Sequence, residues 1–210
     1  MRRALTPKKI LSKEYETLEL SELWQKAFGR PETTGIWSIC GHSGNGKSSL
    51  VMQAMKELSE VLGKGHMNSY EEDVRLTMKN LLSISGMAST KITLIRESFQ
   101  EFYERAKRPK SPKFFVLDSV QAMRITSKQY EKIKEIAQTK LVILILRAEG
   151  KRPKGNLATD IWYDSDLKIW VEGYVATSNG RHNPGGKYIV WRERAIEYHG
   201  VQTIEKIEKI

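Results

Sequence analysis

Eight consecutive residues, Gly41-His42-Ser43-Gly44-Asn45-Gly46-Lys47-Ser48, fit the pattern G-x-x-x-x-G-K-[ST]. Gly41, Gly44 and Gly46 carry no Cβ, so successive backbone N–H groups can curl inward around a polyphosphate. Such a loop feeds a helix whose first amides lack partners and whose dipole favours negative charge, with Ser49 in that first turn. Lys47 would reach the β- and γ-phosphates, and the Ser48 hydroxyl would sit on Mg²⁺. The expected chemistry is binding of ATP with Mg²⁺ along Gly41 to Ser49.

The flanking residues supply the required supports. Ile36 to Cys40 is a short apolar run suited to a buried parallel strand. Leu50, Val51, Ala54, Met55, Leu58, Val61 and Leu62 recur at helical spacing. Further on, Phe114-Phe115-Val116-Leu117-Asp118 reads as a strand buried on both faces that closes on an acid. Asp118 would emerge at the carboxyl end near the glycine loop and hold Mg²⁺ through water or through Ser48. Cys40 is the single cysteine. At the end of a core strand it is expected to be a small buried hydrophobe rather than a nucleophile.

A chain of 210 residues suits one α/β domain with a substantial core. A hydrophobic fraction of 40% with 29% charged residues describes a soluble globular protein. The longest apolar run, Leu141 to Leu146, is too short to cross a bilayer, and no signal-peptide layout is visible. A cytoplasmic location without membrane association is the expectation. The net charge of +10, from 35 Lys+Arg against 25 Asp+Glu, points to a polyanionic partner, of which nucleic acid is the commonest.

The chain divides into a basic arm with a short helix over 1–30, a core over 31–199 and a tail over 200–210. In the arm, Ser21 to Phe28 can form an amphipathic helix through Leu23, Trp24 and Phe28, packing on its own core or on a neighbouring subunit. Strands are expected at His66–Ser69, Ile92–Ile95 and Leu141–Leu146. Helices are expected over Val74–Leu82, Phe99–Ala106 and Lys128–Gln138. A polar loop from Arg147 to Asp160 carries Lys151, Arg152 and Lys154. Leu167–Val171, Tyr174–Thr177 and Lys187–Trp191 read as an antiparallel meander extending a parallel sheet.

The string Val116-Leu117-Asp118-Ser119-Val120-Gln121-Ala122-Met123 resembles the second nucleotide motif of the RecA superfamily, in particular its RadA/Sms branch. Tyr70-Glu71-Glu72 resembles the paired-acid segment of RadA-like and KaiC-like ATPases. Asp166 through Glu172-Gly173 resembles their D-x-V-L-x-x-E-G strand. The resemblance covers roughly residues 31 to 199. It implies a RecA-like P-loop NTPase: a mostly parallel sheet flanked by helices with a C-terminal antiparallel extension, assembled as a ring or filament with nucleotide sites between subunits. It also implies that Glu71, beside Glu72, orients and activates the attacking water. The same acids favour a helix N-terminus, a compatible role.

Two segments depart from the family. Its lysine-asparagine-arginine-phenylalanine-glycine motif reads Asn179-Gly180-Arg181-His182-Asn183 here. Arg181 is then either a finger reaching the neighbour's γ-phosphate or a cationic loop residue, and the partnering lysine is missing. The family's glycine-histidine-valine-threonine-lysine reads Arg147-Ala148-Glu149-Gly150-Lys151, so the sensor position is altered. The expectation is a minimal core without the zinc-finger and protease-like domains that flank RadA, of phage or mobile-element origin.

These readings converge on a Mg²⁺-dependent ATPase acting on single-stranded DNA in recombination, repair or replication. Lys151, Arg152 and Lys154 would contact phosphates in the place where RecA cores put a DNA-contacting loop. Trp162 and Tyr163 are expected to pack beneath that loop rather than to stack on bases. The alternatives are a KaiC-like ATPase driving protein partners and, more distantly, a P-loop kinase of small molecules.

Overall fold

The computed structural model describes residues 4–71, 75–88, 91–180 and 184–209. The elements, in chain order, begin with α1 (Pro7–Leu11), α2 (Glu22–Phe28), β1 (Gly35–Gly41), α3 (Lys47–Val61), β2 (Gly65–Ser69) and α4 (Leu76–Ile84). They continue with β3 (Ile92–Ile95), α5 (Phe99–Lys107), β4 (Phe114–Asp118), α6 (Ser127–Ala137), β5 (Leu141–Glu149) and β6 (Arg152–Pro153). The chain closes with α7 (Asn156–Asp164), β7 (Leu167–Glu172), β8 (Val175–Ser178), β9 (Lys187–Ile189), α8 (Arg192–His199) and α9 (Val201–Glu208).

The strands form one sheet in the order β3-β2-β4-β5-β1-β7-β8-β9, with β6 folded back on the far end of β5. Pairings from β3 through β7 are parallel, whereas β7–β8 and β8–β9 are antiparallel. Helices cover both faces, which explains why the central strands read as unbroken apolar runs. Side chains alternate between two cores. Trp37, Ile39, Val116, Ile143 and Ile145 join α3 on one face. Cys40, Phe115, Leu117, Leu144 and Leu146 join α5 and α6 on the other. Serine and threonine start the helices of that second face: Ser98 with Glu101, and Thr126 with Gln129, each form a reciprocal capping box. This is the α/β architecture expected from the sequence.

The arm splits in its behaviour. Trp24 and Phe28 of α2 are buried, with their ring centroids 4.9 and 6.1 Å from Tyr188 of β9, so α2 belongs to the chain's own core. In α1 no residue is buried.

The expected loop from Arg147 to Asp160 is largely regular structure. β5 runs on to Glu149, turns at Gly150 and Lys151, and returns as β6 with Ala148 opposite Pro153. Gly150 adopts φ +60°, a conformation that suits glycine at such a turn. Gly155 then starts α7, whose Leu157, Ala158, Ile161 and Trp162 pack against the second core. These four positions already carry helical spacing, masked in the sequence by their polar neighbours. After β9 the chain adds α8 and α9, which meet through Ala195 and Ile204 against Val175.

Candidate functional site

Parallel strands deliver their carboxyl ends to one edge, and in this sheet order β1 exits between β5 and β7. In register, Gly41 lies opposite Arg147, and Ser69 lies opposite Asp118. The glycine loop, the acid of β4 and the exit of β2 therefore share that edge.

Two glycines of the loop are fixed by sterics. A Cβ on Gly41 would lie 2.2 Å from the Val171 carbonyl oxygen of β7. Gly46 adopts φ +98°, and its Cβ would lie 2.8 Å from Tyr174 Cδ1. The loop is clipped to the β7–β8 turn by Asn45. Its Oδ1 accepts from the Gly173 N–H at 2.7 Å, and its carbonyl accepts from the Tyr174 N–H at 3.0 Å. Asn45 Nδ2 donates to the Ser43 carbonyl at 3.1 Å, which closes the loop on itself. Gly46 caps α3 without a side-chain acceptor, so the first-turn amides of Lys47, Ser48 and Ser49 face the loop with the positive end of the dipole behind them.

Lys47 Nζ donates to the His42 carbonyl at 2.7 Å across the loop. Burial pulls its ammonium below the ordinary lysine range, while the charges of Glu71 and Asp118 act in the opposite sense. Those three charged groups are therefore brought together. Gly44 adopts φ +76° at the exposed tip of the loop.

Asp118 is buried at the end of β4, and its carbonyl accepts from the N–H groups of Tyr70 (2.6 Å) and Glu71 (3.3 Å). That backbone tie brings Glu71 over the site. Its Oε1 accepts from Ser119 Oγ and from Arg147 Nε, the latter at 2.9 Å. Burial pushes the Glu71 carboxyl up, but the hydrogen bonds from Ser119 and Arg147 and the charges of Arg147 and Lys47 outweigh it. The carboxylate therefore lies below its usual range. Both of these bonds fall on one oxygen, and Oε2 is the other acceptor of the carboxylate.

Arg147 in turn anchors the β5–β6 hairpin. Its N–H donates to Gln121 Oε1 at 3.2 Å, and its carbonyl accepts from the Lys154 N–H at 2.7 Å. Gln121 Nε2 donates to the Lys154 carbonyl at 3.1 Å. His42 Nε2 lies 2.8 Å from the Gly150 carbonyl, a second tie between the glycine loop and the hairpin turn. Lys154 Nζ pairs with Glu149 at 3.5 Å, whereas Lys151 and Arg152 are exposed on the same hairpin. Tyr163 is 71% exposed, contrary to the expectation that it packs beneath this segment, because α7 turns it to solvent while Trp162 reaches the core.

Among the described residues no cluster of three His, Cys, Asp or Glu side chains could hold a metal ion. Mg²⁺ does not require one, because it takes one or two hard oxygen ligands beside substrate phosphates and water. The donors at hand, the Asp118 carboxylate and the Ser48 hydroxyl, fit that chemistry. Burial pushes the Cys40 thiol up to about 12, leaving it protonated in the core. Arg181 and Glu72 lie outside the described residues.

Sequence reasoning placed Ser119, Gln121 and Arg147 in segments that resemble or depart from family motifs, and Asn45 in the glycine loop, but it assigned none of their contacts across the site. Arg147 carried a readable signal: a charged residue directly after six apolar ones must sit where a buried strand emerges from the core. Ser119 and Gln121 come just after the β4 acid, where the chain turns over the same edge.

No protein-family model and no curated protein matches the chain. Solved structures do. The flagellar accessory protein FlaH from Methanocaldococcus jannaschii is similar with TM-score 0.61 and 16% identity, over 83% of this chain and 93% of that one. A KaiC-like protein from Pyrococcus horikoshii OT3 gives TM-score 0.56 and 17% identity over the same shares, 83% and 93%. A further solved structure, an ATPase domain, gives TM-score 0.54 and 13% identity over 78% of this chain and 84% of that one. The fold is that of the RecA-like P-loop ATPases. Among the described residues no helix is long and apolar enough to cross a membrane.

Proposed function

We propose that this protein hydrolyses ATP and acts on single-stranded DNA, in an assembly of several copies that serves recombination, repair or replication. The amides of Gly41 to Ser49 and Lys47 hold the β- and γ-phosphates, while Ser48 and Asp118 hold Mg²⁺. The metal, when bound, neutralises charge shared by those phosphates. Glu71 orients the attacking water. Its lowered proton affinity makes it a hydrogen-bond acceptor more than a strong base, which suits a loose phosphoryl-transfer transition state with little demand for early proton removal.

The observation that carries this reading is the Glu71 carboxylate, fixed by Ser119 and Arg147 at the same edge as Lys47 and Asp118. Arg181 completes the site of the neighbouring copy, and Lys151, Arg152 and Lys154 contact the phosphates of the strand. The hairpin's ties to Gln121 and His42 weigh against a mobile kinase lid. Similarity to FlaH and to the KaiC-like protein supports one alternative, in which ATP drives a protein partner.

ATP turnover at low salt, with and without single-stranded DNA and with Lys47→Ala as the blank, separates the two. Stimulation that fades as salt rises is expected, because phosphate contacts release counterions. Turnover untouched by DNA, together with no DNA binding, would favour the protein partner.

A further inference from the structure

Beside the phosphate loop, the β5–β6 hairpin, α7 and the outward face of β7 enclose an open groove of about 750 Å³, within the range of small-ligand sites. Its aromatic lining is ordered by packing. Trp162 of α7 and Trp170 of β7 meet edge to face at 6.3 Å, and both pack against the second core. Tyr163 extends this lining into solvent, with Lys168 Nζ 5.7 Å from its ring centroid. The hairpin wall carries Lys151 and Arg152, which have no ion pair among the described residues.

The two acids at the groove already have donors. Glu149 pairs with Lys154, and Glu172 accepts from Trp170 Nε1 at 3.2 Å and from Tyr198 Oη at 3.4 Å. Cations beside exposed ring faces match a ligand that is anionic along its backbone and flat in its side groups.

We propose that this groove takes an unstacked base of a single-stranded nucleic acid, with the flanking phosphates on Lys151 and Arg152. The inference rests on the nucleic-acid reading above and adds to it a base-stacking subsite centred on Tyr163. The bases of a duplex are stacked on one another and offer no free face to a ring, so the groove selects single strands. It also adjoins the nucleotide site, because His42 bonds to Gly150 of the hairpin and its ring meets Trp170 edge to face at 6.4 Å.

The test titrates the full chain at low salt with fluorescein-labelled oligothymidylate and with an abasic strand of equal length, reading anisotropy and tryptophan emission. Oligothymidylate should bind, quench the tryptophans and outcompete the abasic strand. Tyr163→Ala should weaken binding about fivefold to a hundredfold, the usual loss for one stacked base, and Tyr163→Phe should restore it. Equal binding of the two strands, or of Tyr163→Ala and the unaltered chain, would overturn the groove while the nucleic-acid reading stands. No binding of either strand by the unaltered chain would overturn both.

Discussion

Replacing Arg147 by alanine isolates the contact on which the placement of Glu71 depends. Arg147 Nε lies 2.9 Å from Glu71 Oε1, with side chains 51% and 34% exposed. For unit charges about 4 Å apart the Coulomb attraction is about 1 kcal/mol in water and about 4 kcal/mol at an effective dielectric of 20. Exposed pairs realise only about 0.2–1 kcal/mol after screening and ordering, so about 1 kcal/mol is the figure for this half-exposed pair. Its loss raises the proton affinity of Glu71, because a hydrogen bond and a positive charge that hold the carboxyl down are removed. The sign follows from the depressed carboxyl: activity that needs ionised Glu71 persists to lower pH while Arg147 is present, and the acid limb moves to higher pH without it. At neutral pH Glu71 stays ionised in both proteins. Any fall in turnover there, about tenfold to a hundredfold, reflects lost orientation of the carboxylate. The assay is steady-state ATP turnover as a function of pH, with circular dichroism at each pH to exclude unfolding. An acid limb that stays in place while neutral turnover collapses would overturn the role of Arg147 beside Glu71 and assign it to the phosphate directly.

Other consequences are equally specific. Gly41→Ala forces a Cβ to within 2.2 Å of a backbone oxygen, so strands β1 and β7 must part. A loss of about 1–3 kcal/mol in urea denaturation is expected, with weakened ATP binding. Arg181→Ala should depress turnover only in assembled protein, and mixing it with Lys47→Ala should partly restore activity; no rescue would make the role local. His66 is buried against Glu97, which also takes Arg105, and burial holds its imidazole below the ordinary histidine range despite Glu97. The unfolded chain therefore binds the proton first, and stability should fall as pH drops below about 6.5. His66→Gln should flatten that dependence, measured by denaturation at pH 8 and pH 5.5.

Much of the fold was legible because buried parallel strands must be apolar on both faces. Phe114–Asp118 and Leu141–Leu146 announce themselves in this way, and the glycine pattern at 41–48 sets the turn from β1 into α3. The hairpin after Arg147 was not legible, since one glycine turn and a two-residue strand leave no periodicity to read. Polar Asn156, Thr159 and Asp160 similarly hid α7 behind a surface composition. Contacts across the site were the hardest to foresee. The clip from Asn45 to Gly173 spans 128 positions and the pair of Arg147 with Glu71 spans 76, so only sheet order brings them together.

In the proposed reaction Glu71 acts in hydrolysis, while the groups that bind ATP lie elsewhere, in the glycine loop. The direct measurement is nucleotide affinity and single-turnover hydrolysis of Glu71→Gln beside the unaltered chain. ATP affinity within a few-fold of the original and hydrolysis slowed about a hundredfold or more are predicted. Full hydrolysis by Glu71→Gln would contradict the account and place the water-orienting group on another residue.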